Sequence, residues 1–387
     1  MNMEYVYLDN AATTKVDKRV LEAMLPFLNE RYGNPSSIHK PGREVKVFLE
    51  DARETVANFI GAAPSEIYFT SGGTESNNFA LKGIAFGQLG KKSHIISSKI
   101  EHSAVLDSLN YLQDKFGFEI TYIHTDKHGI IDIDVLKKSI NEKTFLICIM
   151  HSNNELGVIN DINAISQIAD ERNIFFHTDS VQSIGKTHFN VKELNCTTAT
   201  LSAHKIYGPK GIGALYIKKG TSIDKYIHGG KQERDRRGGT ENIPAIAGFR
   251  KAIEILNERM DKDIIHYKKL ETYLLTKLRN TFTDKIIINS IEGPNSLPNI
   301  VNFSFDPFKV KVDPDTLLIN LDLKGIAVSS GSACASGSIQ PSHVLKAIGY
   351  DDDIAKSSLR ISFGRENTEK EIDYLVSSLE EITGMEV

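Results

Sequence analysis

Short apolar runs alternate along the first half of the chain with stretches patterned for helix. EIYFT leads into Asn77 to Leu89 and HIISS into Ala104 to Lys115; EITYIHT and TFLICIM follow, then Ile162 to Glu171 and IFFHTD. Brief apolar runs with little polar alternation suit strands covered on both faces, the condition of a mainly parallel sheet between layers of helix. The alternation therefore predicts an α/β fold. Past Gly213 the run ALYI adds another strand, and a helical pattern from about Ile243 to Asn257 then meets the charged stretch ERMDKDIIHYKK. A domain boundary is expected there. The remainder offers strand-like KIIIN and IVNFSF, helix-like PDTLLINLDLKG, a Ser/Gly-rich segment from Ser329 to Ser338, the strand-like SSLRISFG and a final helix. That order suits a smaller α+β domain. The expected division is a large domain over 15–257 and a small one over 1–14 and 258–387, in close contact because no linker or repeat cuts the chain.

Composition excludes several function classes. Lys and Arg number 46 against 50 Asp and Glu, a formal charge of -4, so no global basic field points to nucleic acid or an anionic membrane. Three cysteines in 387 residues make no disulfide framework, and no apolar run approaches the ~20 residues that span a bilayer. The start, MNMEYVYLDNAATT, has neither a basic nor an apolar leader region. The expected location is the reducing cytoplasm, without membrane or direct nucleic-acid contact.

The residues that carry chemistry cluster where predicted strands end. In FTSGGTESNN a strand runs straight into a helix, and Gly73 and Thr74 stand at the helical start, where exposed N–H groups and a hydroxyl can receive an anion. LSAHKIYGPKGIG brings Ser202, His204 and Lys205 together before a run of glycines, and a lysine among apolar neighbours can lose its charge and act as an amine nucleophile toward an aldehyde. FFHTDSVQSIG places His177, Asp179 and Gln182 at a strand's C-terminal edge, where α/β sheets bind ligands. Asp179 can hold a protonated ring nitrogen there, and Gln182 can reach a neighbouring ring substituent. His102, in EHSAV, can stack on a flat ring or shuttle a proton, and Asn154 occupies another loop of the same edge. Cys148 and Cys196 read as buried small hydrophobes, whereas Cys334, in the polar SSGSACASGS, is a candidate nucleophile or sulfur carrier. Arg360 on a strand suits bidentate recognition of a carboxylate, and the basic loop GGKQERDRRGGT ends at Thr240. No residue is assigned to a metal.

Taken in order, YLDNAATT, YGNPSSIH, FTSGGTESNN, EHSAV, NNELG, HTDSVQSIGK, SAHKIYGPKGIG, the QER and GGTEN parts of the basic loop, SSGSACASG and LRISFG resemble the NifS/IscS-like cysteine desulfurases. These are pyridoxal 5'-phosphate enzymes of the class-V aminotransferase group. The resemblance implies fold type I of the pyridoxal-phosphate-dependent transferases, with a mixed, mainly parallel seven-stranded sheet. It makes Lys205 the residue that carries the cofactor and then moves a proton, His102 the group stacked on the ring, Asp179 the partner of the ring nitrogen and Gln182 that of the ring oxygen. Gly73, Thr74, Ser202 and His204 would hold the phosphate, with Thr240 reaching in from a second subunit of a homodimer. Asn154, Arg360 and Asn34 would grip the carboxylate of L-cysteine, and Cys334 would take its sulfur as a persulfide for sulfur-acceptor proteins such as an iron–sulfur scaffold or a tRNA-thiolation enzyme. The loop departs from the group's usual pattern of glycines or small residues at the places of Lys231, Asp235 and Gly238. Selenocysteine lysis or another β-elimination on the same cofactor is the nearest alternative. A scaffold that only docks sulfur acceptors is another, although it would need neither Lys205 nor Cys334.

Overall fold

The computed structural model describes residues 5–330 and 340–384, so Cys334 lies outside the described residues. Twelve strands occur among them: β1 (Val6–Tyr7), β2 (Ile67–Thr70), β3 (His94–Ser98), β4 (Glu119–Ile123), β5 (Thr144–Cys148), β6 (Phe175–Asp179), β7 (Thr198–Ser202), β8 (Gly213–Ile217), β9 (Ile286–Ile288), β10 (Ile300–Phe305), β11 (Ile326–Ala327) and β12 (Ser358–Ser362). β2 to β8 build a seven-stranded sheet in the order β2-β8-β7-β6-β5-β3-β4. Neighbours from β7 across to β4 are parallel, while β8 runs against both β7 and β2. The apolar runs predict a mainly parallel sheet and the resemblance a mixed, seven-stranded one, and the sheet is both. β3, β5, β7 and β8 are buried along their whole length, and β4, at the edge, is only partly covered. Burial on both faces explains why β3, β5 and β8 show no polar-out alternation, while β6 and β7 keep polar residues that are themselves buried.

Helices follow the strands and start where side chains can cap them. Asp161 accepts the Ala164 N–H at the head of the helix Ile162–Glu171, and Asn242 accepts the Ala245 N–H at the head of the helix Ile243–Phe282. The helix Ser103–Phe116 stops at Gly117, whose left-handed backbone, φ 72°, returns its N–H to the Gln113 carbonyl.

The helix Ile243–Phe282 differs from the sequence expectation, which ends the helical pattern at Asn257. It runs unbroken for 40 residues, about 60 Å. Asp263, Tyr267, Leu270, Glu271, Leu274, Leu275 and Leu278 keep the three-to-four-residue spacing of a buried face. Two of these positions are acidic, which hides the pattern from a hydrophobicity reading. Arg365 Nε lies 2.5 Å from Asp263 and Lys268 Nζ 2.6 Å from Glu271, so both buried carboxylates have cationic partners. The first part of the helix packs with the core under the large sheet, through residues such as Phe249, Ile253 and Leu256. From Tyr267 onward it packs with a second core that includes Val6, Leu8, Phe303, Ile361 and Leu375. β12, β10 and β9 form an antiparallel sheet over that second core, and β1 pairs in parallel with β11. The chain's start and its last third therefore share one core.

Candidate active site

Five strands end on the same edge of the large sheet, and each hands a short loop to a common space. β2 leads through Gly72 to Gly73 and Thr74, β3 to His102, β5 to Ser152 and Asn154, β6 through Asp179 to Gln182, and β7 through Ser202 to His204 and Lys205. The residues named from Gly73 onward line one cavity of about 470 Å³, together with Arg360 from β12 and Asp9 from the segment after β1. A crevice beyond the carboxyl ends of parallel strands is where α/β folds bind ligands.

Gly72 makes the turn from β2 into the helix Gly73–Phe86 with φ 150°, a backbone region that side chains disfavour. A Cβ on Gly73 would stand 3.0 Å from Val181 Cγ2, so a larger residue there would crowd the cavity wall. With Thr74 beside them, the first N–H groups of this 14-residue helix supply donors for an anion.

Lys205 extends from a single 3-10 turn, Ala203–Lys205, and its Nζ donates to the Ala11 and Ala12 carbonyls at 2.5 and 2.7 Å. Burial first, and the Arg360 guanidinium second, lower its pKa to about 8. A neutral amine keeps two N–H bonds, so it can make both contacts while offering a lone pair. Behind it, Lys186 Nζ donates to the Lys205 carbonyl at 2.6 Å and fixes the turn.

Asp179 faces the cavity as an acceptor, taking the Val181 N–H on one oxygen at 3.0 Å and Asn77 Nδ2 on the other at 2.6 Å. Gln182 donates to the Ala11 carbonyl at 2.9 Å. His102 Nδ1 accepts the Ala104 N–H at 3.1 Å, which puts any proton of the neutral ring on Nε2. Burial lowers the pKa of His102, and Asp179 opposes that shift. Burial and the neighbouring Lys205 bring His204 down to about 4, so it offers a polar but uncharged contact. Arg360 is held by the Asp9 carboxylate at 2.8 Å and by the Asn154 carbonyl at 2.9 Å, while its Nε has no partner among the described residues.

Asn34 and Thr240 do not line this chain's cavity, and Thr240 is the residue expected to act on a second subunit. Asn34 is exposed and does not line the cavity; its side chain closes a local turn on the Ser36 N–H at 2.9 Å. Thr240 is also exposed and lines a separate cleft of about 150 Å³ with Arg237 and Glu241. Asn77 and Asp9 line the cavity without having been singled out in the sequence. Asn77 was within reach, because four residues from Gly73 is one helical turn, which puts both on the same face. Asp9 carries no such signal, since its role comes from Arg360 some 350 residues away.

A flat, phosphorylated pyridine aldehyde fits these groups. Gln182 Oε1 and Ser202 Oγ are buried with no partner among the described residues, and both residues line the cavity. Unpaired buried oxygens are costly unless a ligand satisfies them. The lining offers a depressed amine for the aldehyde, a carboxylate for a ring N–H and a glycine-led helix start for a phosphate.

Residues 6–375 match the aminotransferase class-V family. The chain is 50% identical to cysteine desulfurase IscS of Dictyoglomus turgidum over 379 residues, 97% of this chain and 94% of that protein. It is 46% identical to the enzyme of the same name from Methanosarcina thermophila, over 97% and 91% of the two chains. Among solved structures, a NifS-like protein superposes with a TM-score of 0.90 at 42% identity, covering 99% of this chain and all of the other. SspA in complex with cysteine superposes with a TM-score of 0.80 at 38% identity, over 92% and 98%. The chain belongs to the class-V aminotransferase family, among its cysteine desulfurases.

Proposed function

We propose that the protein takes sulfur from L-cysteine, releasing L-alanine and leaving a persulfide on Cys334, with pyridoxal 5'-phosphate bound in the cavity at the sheet edge. The observation that supports this most directly is the convergence of Lys205, Asp179, His102, Gln182 and Arg360 on one cavity. Lys205 would hold the cofactor through its amine, Asp179 would receive a ring N–H, and Gln182 Oε1 would accept a hydrogen from a ring substituent. Ser202, Thr74, His204 and the N–H groups from Gly73 hold the phosphate. Bound there, the cofactor supplies an electron sink for the bonds at the substrate's Cα and Cβ.

The substrate carboxylate meets Arg360, which Asp9 and the Asn154 carbonyl keep extended toward the cavity. Lys205 Nζ, with its pKa near 8, takes and returns the Cα proton close to neutral pH. His102, with Nδ1 taken by the Ala104 N–H, would keep a proton on Nε2 beside the bound cofactor. The Cys334 thiolate bonds to the substrate sulfur as the Cβ–S bond breaks, and Cβ gains a proton to become the methyl of alanine. Cysteine plus one thiol becomes alanine plus one persulfide, so the step needs no external oxidant.

Thr240, exposed on this chain, would complete a phosphate site on a second copy, which makes a homodimer the working unit. The persulfide passes to a sulfur acceptor, an iron–sulfur scaffold or a tRNA-thiolation enzyme. Cys334 must return to a free thiol to take sulfur again, and Cys148 and Cys196 are free thiols, so we place the protein in the reducing cytoplasm. Among the described residues no helix is long and apolar enough to cross a membrane. The test is the visible spectrum of the purified protein before and after L-cysteine, with alanine and sulfide measured in the same cuvette. Alanine formation with Cys334→Ser retaining its cofactor band but forming no persulfide is the expected result. A Cys334→Ser protein that still accumulates persulfide would refute the scheme.

A further inference from the structure

Beneath Asp179 runs a row of buried polar side chains whose hydrogens can be placed in one consistent direction. His177 and Asp179 alternate along β6 and so share a face; in the register with β7 they stand opposite Thr198 and Thr200. Asn77 reaches this face from the helix Gly73–Phe86. His177, Thr198 and Thr200 are fully buried, and Asn77 is 1% exposed.

Asn77 Nδ2 lies 2.6 Å from Asp179 Oδ2, and Asn77 Oδ1 lies 2.7 Å from Thr200 Oγ1 and 3.1 Å from His177 Nε2. His177 Nδ1 in turn lies 2.9 Å from Thr198 Oγ1. A carboxylate only accepts, so Asn77 must present its amide N–H₂ to Asp179 and its oxygen to the other two. That oxygen accepts the Thr200 hydroxyl hydrogen and the hydrogen on His177 Nε2. His177 then has its lone pair on Nδ1 and accepts the Thr198 hydroxyl hydrogen. Burial lowers the pKa of His177 to about 4, which keeps the ring in this neutral form. With Val181 N–H on Oδ1, both carboxylate oxygens of Asp179 are held by donors, and rotation about its last bond is closed.

We propose that Asn77 and His177 are positioning residues, whose relay from Thr198 holds the Asp179 carboxylate in one orientation so that it receives a cationic ring N–H in the cavity. This rests on the cofactor reading above. Asn77 lines the cavity, but its amide nitrogen is taken up by Asp179 and its oxygen by Thr200 and His177, so both residues act through Asp179.

The test compares two probes on the full-length apo-protein by calorimetric titration: pyridoxal 5'-phosphate, and its analogue with the ring nitrogen replaced by C–H. The wild type prefers the nitrogen-containing probe. Asn77→Leu, similar in size but without donor or acceptor, should cut that preference by about tenfold, the scale of one hydrogen bond to a charged group, while affinity for the C–H analogue holds within about threefold. Thr200→Val, which is isosteric and removes one donor on Asn77 Oδ1, should cut the preference by about threefold and keeps the test open if Asn77→Leu does not fold. Equal loss of both probes in a folded variant would mean packing alone, and an unchanged preference would mean Asp179 holds itself; either overturns the proposal. A wild-type protein that binds neither probe would overturn the cofactor reading and this one with it.

Discussion

Removing the positive charge at Arg360 should make Lys205 a poorer nucleophile at neutral pH. Lys205 sits near a pKa of 8 instead of 10.5 because burial penalises its ammonium and Arg360 repels it. At pH 7 a pKa of 8 leaves ~9% of the amine uncharged, against ~0.03% for a free lysine, a gain of ~300-fold in reactive form. Arg360→Met keeps the stem but deletes the like charge, and it also frees Asp9, whose carboxylate stabilises the ammonium. Both changes push the Lys205 pKa up, by about one unit. The assay is stopped-flow capture of pyridoxal 5'-phosphate by apo-protein from pH 6 to 10, with a small amine and the same aldehyde as control. The wild-type rate should climb roughly tenfold per pH unit and level off near 8, whereas Arg360→Met should level off near 9 and run about tenfold slower at pH 7. A wild-type profile still rising at pH 10, or an Arg360→Met profile superposed on it, would refute the electrostatic reasoning.

Lys186 offers a stability test. Its amine, fully buried, is brought down to about 7 by burial first and by Lys205 next. Below pH 7 folded and unfolded chains both carry this charge and the fold bears its whole desolvation cost; between 7 and 10.5 the cost is lifted, by up to ~5 kcal/mol. Urea midpoints of the apo-protein should therefore rise across that window, and Lys186→Met should flatten the rise. Glu233 holds Arg53 through two bonds of 2.6 and 3.0 Å, with both side chains 2% exposed, so Glu233→Ala should cost about 3 kcal/mol by leaving the buried cation only the half-exposed Glu50 at 3.3 Å. The double variant Arg53→Met with Glu233→Met should lose less than Glu233→Ala, and an additive loss would count against the pair. Gly73→Ala should weaken cofactor affinity by crowding Val181, with Val181→Ala as a companion change that restores it.

The strands are legible because burial on both faces makes most of them short apolar-rich runs, although β6 and β7 keep buried polar residues, and strand ends carry most of the cavity residues with them. Lys205, Asp179 and Gln182 could be placed at one edge from chain order alone. The course of the long helix could not, because Asp263 and Glu271 occupy its buried face and only their partners Arg365 and Lys268 make that tolerable. Asp9 escaped for the same kind of reason, its meaning residing in a pairing with Arg360 across the whole chain. Asn34 does not line the cavity of this chain, and the local turn that its side chain closes on Ser36 is not revealed by short motifs.

The unbroken helix Ile243–Phe282 also bears on how the protein comes apart. A rod built into both cores gives neither a free hinge at its middle, since bending there would break several backbone hydrogen bonds at once. Asp263, near its midpoint, grips Arg365, whose guanidinium lies 4.0 Å from the ring centre of Tyr207, two residues past Lys205. Loosening the last third of the chain would thus be felt at the reactive amine. Slow amide exchange should extend across the middle of this helix, and the two cores should open together.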